Sequence, residues 1–289
     1  MQGLLMFNLD NIDEKIKCSE YDVIGIGTMG CVRALPPVEL VKDIFSSLQK
    51  CSKRLRLYTP RVPQEHLEEV KTYLKSLEPV ISRPECDLVV NDIGVLLWIK
   101  RTGLNVHKIV LGATYSWSVL QNTLSNNMLR DETDEIKEIY QQVNNNNDIR
   151  LGFFKENGVA EIEVPNLKKT VDKLDRIRNM GFAVSAFENF ILAGYSRVCA
   201  CMKNANEYVA NCQYQCRDII CLKMENLWDA GTQPFPYYKE NTGKEKEFFN
   251  NILVQGNMQY RLISDNLKAE KELIQDKFDT VLKCLDLEY

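Results

Sequence analysis

Apolar positions along the chain alternate between two periods. Short, dense runs at Tyr21-Asp-Val-Ile-Gly-Ile-Gly-Thr28, Arg54-Leu-Arg-Leu-Tyr58, Asp87-Leu-Val-Val-Asn-Asp-Ile93, Lys108-Ile-Val-Leu111, Gly158–Val164 and Phe182–Phe187 predict strands buried on both faces. Between them the spacing changes to that of a helix. Val38, Val41, Ile44, Phe45 and Leu48 form one apolar stripe behind Pro36-Pro37, and Leu67, Val70, Leu74 and Leu77 form another, which Pro79 ends. Val95 to Thr102, a segment from about Trp117, and Leu167 to Met180 continue the alternation. At least six βα units follow one another, so the fold class is α/β, a closed or nearly closed parallel (β/α) barrel like the TIM barrel. Beyond the cysteines the pattern loosens through Pro234-Phe-Pro236 and tightens at Asn251–Val254, and Leu267, Leu273, Ile274, Phe278, Val281 and Leu282 predict a C-terminal helix. The charged stretch from about 130 to 147, ending in Asn144-Asn-Asn-Asn147, reads as a solvated insertion, leaving residues 1–289 as one barrel domain.

Composition narrows the function classes. The 36 basic and 40 acidic residues leave a net charge of −4, which provides no general field for nucleic acid or an anionic membrane. No run is apolar and long enough to span a bilayer, and Met1-Gln-Gly-Leu-Leu-Met-Phe-Asn8 lacks the form of a signal segment. With ten cysteines, these features predict free thiols in a reducing cytoplasm. The two histidines, His66 and His107, give little basis for a histidine base or a His-rich metal site. A metalloprotease helix with histidines four apart is absent, and no nucleophile, base and orienting group assemble from the residues, so peptidase chemistry is disfavoured.

Cysteine placement carries the chemistry. Cys199, Cys201, Cys212 and Cys216 fall within one segment rich in Asn, Lys and Glu, unlike the scattered Cys51 and Cys86, which fit burial as small apolar residues. Several thiolates on one loop predict a soft-metal site, either structural zinc or an iron–sulfur cluster. Cys31 lies just past the Tyr21–Thr28 strand, at the end of the barrel where such folds place their working residues, and Cys199 follows the strand ending near Phe187. Both thiols are therefore expected over one mouth.

The pattern Cys-x12-Cys-x3-Cys at Cys199, Cys212 and Cys216, preceded by Ala193-Gly-Tyr-Ser-Arg197, resembles the cluster loop of the collagenase-like peptidase family U32. Asp22-Val-Ile-Gly-Ile-Gly-Thr-Met-Gly-Cys31 resembles that family's first strand and its remote fourth cysteine. Asn250-Asn-Ile-Leu-Val-Gln-Gly-Asn-Met-Gln259 is similar to a later stretch of the same family. The resemblance runs from about Leu5 to Gln259. It implies a barrel holding a 4Fe-4S cluster on Cys31, Cys199, Cys212 and Cys216. Within the family the chain most resembles the small branch acting in oxygen-independent ubiquinone hydroxylation. That branch implies prephenate as oxygen donor, a second U32-family protein as heterodimer partner, and a small aromatic or carboxylate substrate.

Alternatives stand beside this one. Zinc suits four thiolates equally well, although its modules usually bring paired Cys-x2-Cys ligands. Cys201 and Cys221 are extra thiols able to replace a ligand, and a U32-type peptidase or a non-catalytic structural or electron-transfer subunit are the competing functions. Other strand-end polar residues are Arg33, Asn91, Asp92, Tyr115, Glu163, Asn166, Glu188 and Arg197. Most of these are expected to cap helices or pair with one another. Arg33 and Arg197 suit a carboxylate, Arg197 being the retained substrate-binding candidate.

Overall fold

The computed structural model describes residues 1–116, 132–136, 147–166, 174–195, 199, 212, 220–223, 251–255, 257–262 and 278–284. Eight parallel strands close into a barrel: β1 (Gln2–Met6), β2 (Val23–Gly27), β3 (Arg54–Tyr58), β4 (Cys86–Val90), β5 (Lys108–Leu111), β6 (Val159–Val164), β7 (Ala183–Phe187) and β12 (Thr280–Cys284). β12 pairs with both β1 and β7, which completes the ring. The described helices on the outside are α1 (Ile12–Cys18), α2 (Val38–Lys50), α3 (Leu67–Ser76), α4 (Glu78–Ile81), α5 (Ile93–Thr102), α6 (Asp148–Glu156) and α7 (Asp175–Asn179). The expected TIM-barrel-like α/β fold is the fold of the protein, and no helix among the described residues is long and apolar enough to cross a membrane.

The core has two compartments. Outward-facing strand residues such as Ile24, Leu55, Leu57, Leu88, Ile109 and Ile162 pack against the helix stripes of Val41, Ile44, Leu48, Val70 and Leu74. Strands covered on both sides read as continuous apolar runs for this reason. A second cluster includes the barrel interior residues Leu5, Tyr58, Val89, Val110, Phe187 and Leu282 together with Phe190, Leu192, Met258 and Tyr260. Those last four belong to an inserted antiparallel sheet, ordered β8 (Phe190–Tyr195), β11 (Met258–Leu262), β10 (Asn251–Gln255), β9 (Ile220–Lys223). It is inserted between β7 and β12 and shares the interior apolar cluster of the barrel. Aromatic rings join the two layers: Phe187 stacks on Phe190 at 4.3 Å, and Phe190 meets Tyr260 edge-on at 5.3 Å.

Several expectations need correction. β1, with four of its five residues buried, precedes the Tyr21–Thr28 strand, so Cys31 follows the second barrel strand rather than the first. Thr280–Cys284 forms the closing strand and not the end of a helix; its alternation of buried and half-buried residues is that of a strand, while Leu267 to Ile274 lie outside the described residues. β4 ends at Val90 because the Asp92 carboxylate accepts the Val95 N–H at 3.1 Å and starts α5. Leu167–Lys173, most of the 130–147 insertion and the segment from Trp117 also lie outside the described residues.

Candidate functional site

The lower barrel interior is ionic. Arg56, fully buried on β3, donates to Glu161 at 2.6 Å, to Ser185 at 3.1 Å, to Asp87 at 3.4 Å and to Glu163 at 3.5 Å. Alternation along parallel strands in register turns these groups into the barrel interior, Arg56 lying opposite Asp87 across the β3–β4 pair and Glu161 and Glu163 standing two residues apart on β6. Burial alone would strip the Arg56 charge, but Glu161, Tyr58, Glu163 and Asp87 hold the guanidinium above its ordinary value. Burial also opposes ionisation of Glu161, yet Arg56 and Lys108 outweigh it and bring the carboxyl down to about 2.

Glu163 has the opposite balance. Burial is the largest influence and pushes the carboxyl up to about 7, although Arg56 and the Tyr58 hydroxyl, which donates to Oε1 at 2.6 Å, favour the anion. Its Oε2 accepts the Ala113 N–H at 3.2 Å. Of the strand-end polar residues, Glu163 thus pairs internally as expected. Asp92 caps α5 and also accepts the Val62 N–H. Asn91 donates to the Thr59 carbonyl at 2.9 Å and accepts from the Thr114 hydroxyl, and the Tyr115 oxygen accepts the Ile93 N–H. Asn166 differs, being fully buried with no hydrogen-bond partner for either amide atom among the described residues.

The C-terminal mouth brings cysteines together. Gly27 turns the chain out of β2 with φ +111, and the Thr28 hydroxyl accepts the N–H groups of Gly30 and Cys31. The turn is locked to the inserted sheet, because Asn257 donates to the Gly30 carbonyl at 2.8 Å and a Cβ on Gly30 would come within 2.3 Å of Met258. Met258 is the register partner of Tyr195, the last residue of β8, and Cys199 follows four residues later. The sheet therefore carries Cys199 toward Cys31.

Burial raises the Cys31 thiol, the N–H groups of Arg33 and Ala34 favour its thiolate, and the charges of Cys199 and Cys212 push it up further. Cys199 and Cys212 are thus each near enough to Cys31 for their charges to act on it. All three are free and partly buried, as a thiolate donor set for a soft metal requires. Among the described residues no group of three or more His, Cys, Asp or Glu is gathered tightly enough to enclose an ion. Cys216, Cys201 and Arg197 lie outside the described residues, and Cys221 lies on β9. Cys51 follows α2 on the surface and Cys86 opens β4 at the opposite end of the barrel, both away from the mouth. Cys284, by contrast, ends β12 at the mouth and is buried in the interior cluster.

Arg61 is a mouth residue that sequence reading missed. Its guanidinium lies 4.1 Å from the Tyr195 ring centre and 5.5 Å from that of Tyr115, bridging the loop after β3 to the inserted sheet and to the loop after β5. The available signal was its position three residues beyond Tyr58, at the end of a strand. His107 precedes β5 at the opposite end of the barrel, and His66, in the connection from β3 to α3, pairs with Glu69 of that helix. A scan against models of known protein families finds no match for the chain, and a search of curated proteins finds none.

Proposed function

We propose that the protein is an iron–sulfur barrel whose C-terminal mouth holds a 4Fe-4S cluster on Cys31, Cys199, Cys212 and Cys216. The observation that carries this is the approach of Cys31 to Cys199 and Cys212 across a large sequence separation, with backbone N–H groups directed to favour the Cys31 thiolate. Such a cluster supplies one-electron redox chemistry, tuned by hydrogen bonds to sulfur and by burial. Partial burial and a turn clamped by Asn257 suit that role better than a surface zinc knuckle. The subunit role in oxygen-independent hydroxylation of a ubiquinone-type precursor, with prephenate as donor and a second U32-like protein as partner, rests on the motif resemblance alone.

The test is anaerobic purification followed by iron, sulfide and zinc assays. Iron and sulfide in cluster stoichiometry are expected, with iron lowered by Ala at any of the four cysteines and retained in Cys51→Ala and Cys86→Ala. Stoichiometric zinc without iron, or full iron in Cys31→Ala, refutes the assignment. Co-expression with a longer U32-family protein should give a heterodimer on gel filtration, and purified protein should not cleave gelatin.

A further inference from the structure

We infer that the mouth carries a binding site for a small oxyanion, a carboxylate or phosphate group, anchored by Arg61. This rests on reading the C-terminal mouth as the working end, but not on which metal the thiols hold.

Arg61 is partly buried and held between the Tyr195 and Tyr115 rings, and among the described residues it forms no ion pair. A guanidinium fixed on aromatic faces keeps its planar donor fork ordered in advance, which suits two-point binding of a carboxylate or phosphate. Nearby carboxylates do not use it. Asp92, after β4, accepts the N–H groups of Val62 and Val95 and forms no ion pair with Arg61. The backbone fixes the position as well: Arg61 N–H donates to the Met29 carbonyl, tying this loop to the turn that carries Cys31.

Two other residues after barrel strands have buried polar atoms without a hydrogen-bond partner among the described residues. Arg33 follows β2 and has a buried Nε with no hydrogen-bond partner among the described residues. Asn166 follows β6 with both amide atoms buried and unpartnered among the described residues. Leaving a buried amide unpaired is costly, and native proteins retain such groups where a ligand satisfies them. Strand order sets the loops of Arg33 and Arg61 side by side after the neighbouring strands β2 and β3, whereas Asn166 follows β6, four strands from β2 on the opposite side of the ring. The assigned ligand is therefore a small molecule whose oxyanion meets the arginines, with a neutral polar group for the Asn166 amide only if it is long enough to cross the mouth.

Isothermal titration of malonate and of inorganic phosphate into the full chain tests this, the two probes separating carboxylate from phosphate preference. Saturable binding of at least one is expected, weakened about tenfold in Arg61→Gln and partly kept in Arg61→Lys, which retains charge but not the fork. Arg101→Gln, an exposed change on α5, should stay within about twofold of wild type. Binding should persist in Cys31→Ala, which separates this site from the fate of the cluster. If Arg61→Gln fails to fold, Arg33→Gln carries the test and should weaken binding about threefold or more. Absence of saturable binding by either probe, or wild-type affinity in the folded arginine variants, overturns the assignment.

Discussion

Replacing Glu163 by Gln should flatten the dependence of stability on pH. In the native barrel burial holds this carboxyl at about 7, against an ordinary value of 4.5. The folded state therefore favours the protonated form by about 3 kcal/mol, at about 1.4 kcal/mol for each tenfold change. Between pH 4.5 and 7 the folded chain keeps a proton that the unfolded chain releases, so this group's contribution is full below 4.5 and is lost as pH rises through 7. Glu161, held at about 2, acts the other way and loses its contribution as pH falls below its ordinary 4.5. Gln at position 163 has one acceptor oxygen, which serves either the Tyr58 hydroxyl or the Ala113 N–H but not both. That mismatch adds a cost of about 1 kcal/mol that does not vary with pH. Urea denaturation followed by circular dichroism from pH 5 to 8.5 measures the difference curve. Relative to wild type, the variant should gain about 3 kcal/mol across the window. A difference constant to within about 0.5 kcal/mol would show that Glu163 does not titrate near neutrality.

Arg56→Met should destabilise by about 3 kcal/mol at neutral pH, because it removes the fully buried cation from Glu161, Asp87 and Glu163 and leaves, among the described residues, only the half-exposed Lys108 and Arg54 to offset Glu161 and Asp87, and the loss should shrink as acid neutralises them; denaturation at pH 7 and pH 4 checks this. Gly27→Ala should cost about 3 kcal/mol or more, since the residue sits at φ +111 and a Cβ would lie 2.3 Å from the Tyr58 carbonyl oxygen; a thermal melt reads it directly. Asp92→Ala should cost about 1 kcal/mol through the lost α5 cap, seen as faster hydrogen exchange at the Val95 amide than in wild type.

The barrel was legible because most of its strands are dense apolar runs between helix stripes, the pattern that burial on both faces imposes. β1 escaped notice because Gln2–Met6 is a short run at the chain start, with no period to separate strand from coil. Thr280–Cys284 was absorbed into a helix because Phe278, Val281 and Leu282 happen to match helical spacing. The inserted sheet was nearly invisible, since β8–β11 and β9–β10 pair across long separations and each strand is only four to six residues long. At the site, the position of Cys31 just past the C-terminal end of a barrel strand was legible from the strand pattern. The docking of Asn257 and Met258 on Gly30 was not, because nothing local marks a contact made across the whole fold.

The ring closes through β12, and every residue of the inserted sheet is synthesised before that strand. At about 5–20 residues per second, the seven earlier strands wait seconds on the ribosome with β1 and β7 as open edges, surfaces that invite pairing with other chains. The cysteine segment between β8 and β9 emerges within that interval. The order of synthesis thus makes the thiols available to a metal or a chaperone while the barrel is still an open sheet, before β12 can close the ring.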